Sequence, residues 1–100
     1  MARTVAALCE FDLRIPGVRS LKEKRQVVKT LTAALRNRFN VSVAEVDHHD
    51  LWQRATIAVS SVAGEGYHLK RVMHEVERQV DRFGPIEVIA ARVSYHGPDE

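Results

Sequence analysis

The sequence predicts an α+β domain in which two helices pack on one face of a four-stranded antiparallel sheet. Three observations carry that expectation. Four strand-like apolar stretches occur, alternating with period two most clearly in the first and third, apolar residues recur with helical period in two others, and turn residues separate the stretches in the order β-α-β-β-α-β. The chain has 100 residues, 45% hydrophobic and 28% charged, so one core can be filled without staples and a disordered chain is excluded. A single domain over residues 1–96 is expected, with 97–100 as a flexible tail.

Residues 4–14 place Val5, Ala7, Cys9, Phe11 and Leu13 on one side and Glu10, Asp12 and Arg14 on the other, which is a strand with one buried face. Pro16-Gly17 reads as a turn, Pro fixing φ and Gly free to take a positive one. Ser20-Leu21-Lys22-Glu23 has the form of a capping box, in which hydroxyl and carboxylate each satisfy the other residue's backbone N–H. From there to about Arg38, Leu21, Val27, Val28, Leu31, Ala34 and Leu35 share one arc of a helix. Lys24 is the misfit: its angle falls within the apolar arc, so it must snorkel or find a partner.

Residues 40–46 form a second strand whose alternation is disturbed near Ala44, as a bulge would do. Residues 53–63 form a third, with Ala55, Ile57 and Val59 inward, after the polar connection Asp47-His48-His49-Asp50. Gly64 and Gly66 precede a second helix over about 67–83, whose arc is Leu69, Val72, Met73, Val76, Val80 and Phe83. Gly84-Pro85 ends it, and residues 86–95 make a fourth strand, apolar on both sides. Right-handed crossovers put both helices on one face, the ferredoxin-like arrangement, with strand order 4-1-3-2.

Charge is distributed unevenly. The net charge is only +2, yet residues 14–38 hold Arg14, Arg19, Lys22, Lys24, Arg25, Lys29, Arg36 and Arg38 against Glu23 alone. On the helix, Lys22, Arg25, Lys29 and Arg36 follow at spacings of three, four and seven, a basic stripe turned away from the core. Such asymmetry suits an anionic partner; the ordinary alternative is a solvated face neutralised by acids from elsewhere in the fold.

Three segments carry a resemblance. Arg14-Ile15-Pro16-Gly17-Val18-Arg19-Ser20-Leu21-Lys22-Glu23-Lys24-Arg25, Arg36-Asn37-Arg38-Phe39-Asn40-Val41-Ser42-Val43-Ala44-Glu45-Val46 and Asp50-Leu51-Trp52-Gln53-Arg54 together resemble the YlxP-like family of small bacterial proteins of unassigned function. The resemblance spans nearly the whole chain and implies a ferredoxin-like fold. It also implies a genomic setting often beside translation-initiation and ribosome-maturation factors, and it brings no established catalytic residues.

The strongest candidate site is the first turn of helix one. Free N–H groups and the positive helix end suit phosphate, and Arg14, Arg19, Lys22, Lys24 and Arg25 surround them, with Lys29 and Arg36 extending the track. Contacts of this kind follow shape and phosphate rather than base identity. An RNA-recognition motif would need aromatics on the central strands; residues 54–60 have none and Phe11 belongs to the inward set. Trp52, with Arg54, is the second candidate: the lone Trp can stack on a base or anchor a partner, against the commoner role of capping one end of the core. Arg54 also has Glu45 and Asp47 as pairing candidates across the hairpin.

Other chemistry finds less support. Glu45, Asp47, His48, His49 and Asp50 are ligand types, but adjacent strand histidines point apart, and His68 and His74 miss the i,i+4 relation. No metal and no cofactor are expected. The single Cys9 reads as a small core residue, excludes an intrachain disulfide and suits a reducing cytoplasm. No stretch is long and apolar enough for a membrane span, and Met1-Ala2-Arg3 leads into a strand rather than a signal peptide. An enzyme of the acylphosphatase type shares the expected fold, and Gly17-Val18-Arg19 resembles its loop, but Asn40 stands before strand two rather than in it. Finally, Ala6, Leu8, Ala58 and Val62 with Thr56 and Ser60 would make an open sheet face apolar enough to join a homodimer. The expectation is therefore a cytoplasmic module that binds RNA or a ribonucleoprotein through helix one.

Overall fold

A computed structural model describes residues 3–98. The elements are β1 (Val5–Arg14), α1 (Leu21–Arg38), β2 (Ser42–Asp47), β3 (Arg54–Ala63), α2 (Gly66–Asp81) and β4 (Glu87–His96). The strands form one antiparallel sheet ordered β2-β3-β1-β4, the ferredoxin-like order. Both central strands pair along ten residues, Val5 opposite Ala63 through Arg14 opposite Arg54.

One core lies between the sheet and the helices. Ala7, Cys9, Phe11 and Leu13 from β1 meet Ala55, Ile57 and Val59 from β3, under Val28, Leu31 and Leu35 of α1 and Leu69, Met73, Val76 and Val80 of α2. Each large side chain removed from water there contributes about 1.5–3 kcal/mol. The inward alternation of β1 and β3 and the two helical arcs thus appear where their periods put them.

The helix ends differ from the sequence expectation in instructive ways. At the start of α1 the Ser20 hydroxyl accepts from the Glu23 N–H at 3.1 Å. The Glu23 carboxylate then accepts from the same hydroxyl at 3.4 Å rather than from a backbone N–H, so only half of the capping box forms. Gly17 does not take a positive φ, nor does any glycine among the described residues; a Cβ there would meet nothing within 4 Å. α2 stops at Asp81, two residues before the expected end, with Arg82 N–H donating to Arg78 O and Phe83 N–H to Val80 O. Gly84 therefore lies beyond the helix and caps nothing.

Two irregularities break the ladders. The β2–β3 register shifts between Glu45 and Asp47, which leaves Val46 as the extra residue, two positions beyond the anticipated disturbance. The β1–β4 register shifts between Asp12 and Leu13, with Ile89 as the extra residue. β4 runs on to His96, and Gly97 approaches Val5; Asp99 and Glu100 of the expected tail, and Met1 and Ala2, lie outside the described residues. No helix among the described residues is long and apolar enough to cross a membrane.

Candidate functional site

Helix α1 is held by its apolar arc and leaves the opposite surface to solvent. Lys22, Arg25, Lys29 and Arg36 all lie on that surface and are exposed, as is Arg19 in the loop before the helix and Arg14 at the end of β1. Among the described residues, no carboxylate lies within ion-pair reach of these six cations. Arg36 is tied instead to the sheet edge, its Nη2 donating to Val43 O at 2.7 Å. Arg38, one turn end away, turns from the stripe: it donates to Gln79 Oε1 at 3.0 Å, pairs with Glu75 at 3.5 Å and sits over the Phe39 ring.

Lys24 leaves the anion-binding set. Its side chain is 0% exposed, paired with Glu45 Oε2 and donating to His48 O at 2.7 Å. The reason is its position in the buried arc with Val28, Leu31 and Leu35: an ammonium there needs an acceptor, since an unpaired buried charge is prohibitive. Glu45 supplies it because β2 alternates, and Glu45 shares the inward face with Val43. This partner is legible in principle, as two misplaced charges of opposite sign on the core-facing sides of α1 and β2. It also removes Glu45 from any pairing with Arg54.

The acceptor carbonyl is aimed by strain. His48 has φ 63°, the one positive φ among the described non-glycine residues, and its C=O receives both Lys24 and the Leu51 N–H at 3.1 Å. Asp47 Oδ1 accepts from the His48 N–H at 2.7 Å, and His49 Nε2 lies 3.0 Å from Glu45 O. These histidines and acids therefore shape the loop. No three His, Cys, Asp or Glu side chains converge as a metal cage among the described residues.

The same loop docks on the approach to α1. Ile15 N–H donates to Gln53 O at 2.9 Å, while Gln53 Nε2 reaches Pro16 O and Val18 O. Arg54 is half-buried at the start of β3, directly opposite Arg14, and forms no ion pair with Asp47 among the described residues. Trp52 does not cap the core: it is 51% exposed beside Leu51 at 49%, over a shallow hollow lined by Asp50 through Arg54. The core at this end is closed by Ile15, Val18 and Ile86 instead, all buried, so the indole is left over. Trp52, Arg54, Arg14, Arg19 and the first turn of α1 thus come together at one end of the molecule.

The open sheet face is less apolar than expected. Leu8 and Val62 are exposed, but Glu10 and Asp12 beside them pair with Arg92 at 3.6 and 3.3 Å, and Thr56 donates to Asp12 Oδ1 at 2.9 Å. That hydroxyl and Arg92 hold the Asp12 carboxyl below the usual carboxylate range. On the other face, burial, with Glu77 and Glu10 adding, pushes the Cys9 thiol up to about 12, so it is a core group and no nucleophile. For the acylphosphatase comparison, Asn40 is exposed ahead of β2, and its carbonyl accepts from Ser61 Oγ at 2.9 Å.

Several known proteins are similar to this chain. The chain is 33% identical over 89 residues to an uncharacterized protein, YlxP, of Bacillus subtilis (strain 168), covering 89% of this chain and 95% of that one. Among solved structures, a C-terminal segment of the alpha subunit of aIF2 from Pyrococcus abyssi superimposes with TM-score 0.50 at 14% identity, over 92% of this chain and 49% of that one. The de novo designed protein Foldit4 superimposes with TM-score 0.48 at 12% identity, over 95% of this chain and 98% of that one. The aIF2 likeness, at 14% identity, speaks to the fold alone. Residues 6–93 match the family described as protein of unknown function (DUF503), and with the YlxP identity this shows that the chain belongs to that family of uncharacterized proteins.

Proposed function

We propose that this chain is a non-enzymatic module that binds RNA, free or in a ribonucleoprotein, by gripping the phosphate backbone with the outer face of α1. One observation carries the reading: Lys22, Arg25, Lys29 and Arg36 share one exposed arc, and no carboxylate among the described residues pairs with any of them. The arc extends about 21 Å along the helix axis at 1.5 Å per residue. Arg14 and Arg19 continue it past the helix N-terminus, whose free N–H groups add partial positive charge. A polyanion laid on this track displaces its counterions, which is a large entropic gain at low salt.

The test is RNA affinity across a salt series. Four phosphate contacts predict a slope of log K against log salt of about −3. Neutralising Lys22, Arg25, Lys29 and Arg36 together should flatten it, and a flat response in the parent chain removes the reading. A second reading, a homodimer through the open sheet face, is favoured by exposed Leu8 and Val62 and opposed by the Glu10–Asp12–Arg92 cluster between the strands. Sedimentation separates the two, since a monomer at high concentration rules the second out. Turnover of an acyl phosphate, lost in Arg19→Ala, would replace both with an enzyme.

A further inference from the structure

Resting on the reading just given, we infer that the preferred ligand is unpaired RNA: a single strand whose phosphates follow α1 and one of whose bases stacks on Trp52. The indole is 51% exposed, unusual for the residue with most to gain from burial. The loop that carries it is also fastened. The Ile15–Gln53 hydrogen bond, the Gln53 side chain on Pro16 O and Val18 O, and the Lys24–His48 contact fasten the loop on both sides of it. A loop fixed before its ligand arrives spares the backbone ordering entropy that a mobile loop would lose on binding.

Placement argues for a base rather than another phosphate. The fastenings run to the β1–α1 loop, so Trp52 stands where the cationic track begins, beside Arg14, Arg54, Arg19, Lys22 and Arg25. Yet Asp50 borders the same hollow, with Asp47 at the end of β2 just before this loop. Those carboxylates repel phosphate, so the loop contributes a stacking surface while the helix contributes charge. Bases in a duplex already stack on each other and cannot offer a free face; an unpaired one can. Stacking tolerates every base, so no sequence readout is implied.

Trp52 is the sole tryptophan, so its emission reports this position alone. The experiment titrates the protein with a short single-stranded oligoribonucleotide and with the duplex of the same sequence at low salt, following emission and, with labelled RNA, anisotropy. The single strand should quench Trp52. Trp52→Ala should weaken single-strand binding by about 5- to 100-fold, with Trp52→Phe retaining most of the affinity, and should change duplex binding by less than about twofold. If both RNAs bind with the expected salt slope but Trp52→Ala binds the single strand as the parent does, this inference is wrong and the α1 reading stands. If neither RNA binds, both fail together. Should Trp52→Ala instead abolish self-association with RNA affinity unchanged, the indole is a protein anchor and the inference is overturned.

Discussion

The two helices lie on the same face of the same sheet, yet they treat charge in opposite ways. α2 buries Leu69, Met73, Val76 and Val80, all apolar, and interleaves its outward Lys70, Arg71, Arg78 and Arg82 with Glu75, Glu77 and Asp81. α1 buries Val28, Leu31 and Leu35 together with Lys24, and its outward stripe has no acid after Glu23. The cations of α2 form no ion pairs among the described residues either, so pairing is not what separates the helices. The difference lies in the field: acids on the same turns cancel it over α2 and not over α1. Their starts differ too, since Ser20 caps α1 while Glu65 makes no side-chain cap bond at α2. α2 is built for packing; α1 gives up some burial and keeps a one-signed surface.

Charge removal tests that contrast most severely. Neutralising Lys22, Arg25, Lys29 and Arg36 should lower RNA affinity by roughly 100-fold near 50 mM salt. Neutralising Lys70, Arg71, Arg78 and Arg82 removes the same formal charge and should cost only a few-fold, as anisotropy would show. Equal losses would mean that net charge alone matters and that the helices are not distinct. Next in size is the buried pair. Lys24→Met should destabilise the fold by about 3 kcal/mol in urea titration, because Glu45 is left without its partner, and adding Glu45→Leu should restore most of that. The double variant should bind duplex RNA as the parent does, since Lys24 is out of reach of solvent, and single-stranded RNA a few-fold more weakly, since the His48 contact that fastens the Trp52 loop is gone.

Smaller effects sharpen the picture. Ser20→Ala should cost about 1 kcal/mol by loss of the cap, whereas Glu65→Ala should be close to neutral. The smallest concerns the sheet face away from both helices. Because Asp12 titrates lower in the folded chain than in the unfolded one, its contribution is present above the unfolded value and is lost as pH falls through the folded one. Thr56→Val should move the Asp12 titration, followed by carboxyl NMR, up toward the ordinary range and make stability less sensitive to acid.

All six elements are legible in the sequence: β1, β3 and both helices have one wet and one dry side that periods of two and 3.6 report directly, while β2 and β4 are short apolar runs bounded by turn residues. What escapes depends on partners far away in the chain. The Ile89 bulge reflects how β4 meets β1, and Gly17 keeps an ordinary φ in a turn that has room for a side chain. Lys24 is visible as a misfit from its helical angle, but its His48 acceptor exists only through a left-handed residue in a distant loop. The exposure of Trp52 is hidden for the same reason: Ile15, Val18 and Ile86 close that end of the core, and no local pattern says so.

The single ammonium joining His48 O to Glu45 from inside α1 has a mechanical consequence. Lifting residues 47–53 away from the helix would strip a charge in a dry interior of the acceptors it has among the described residues, which couples the opening of loop and helix. Loop and helix are therefore one mechanical unit, which ties the end of the molecule that carries Trp52 to the element that carries the cations.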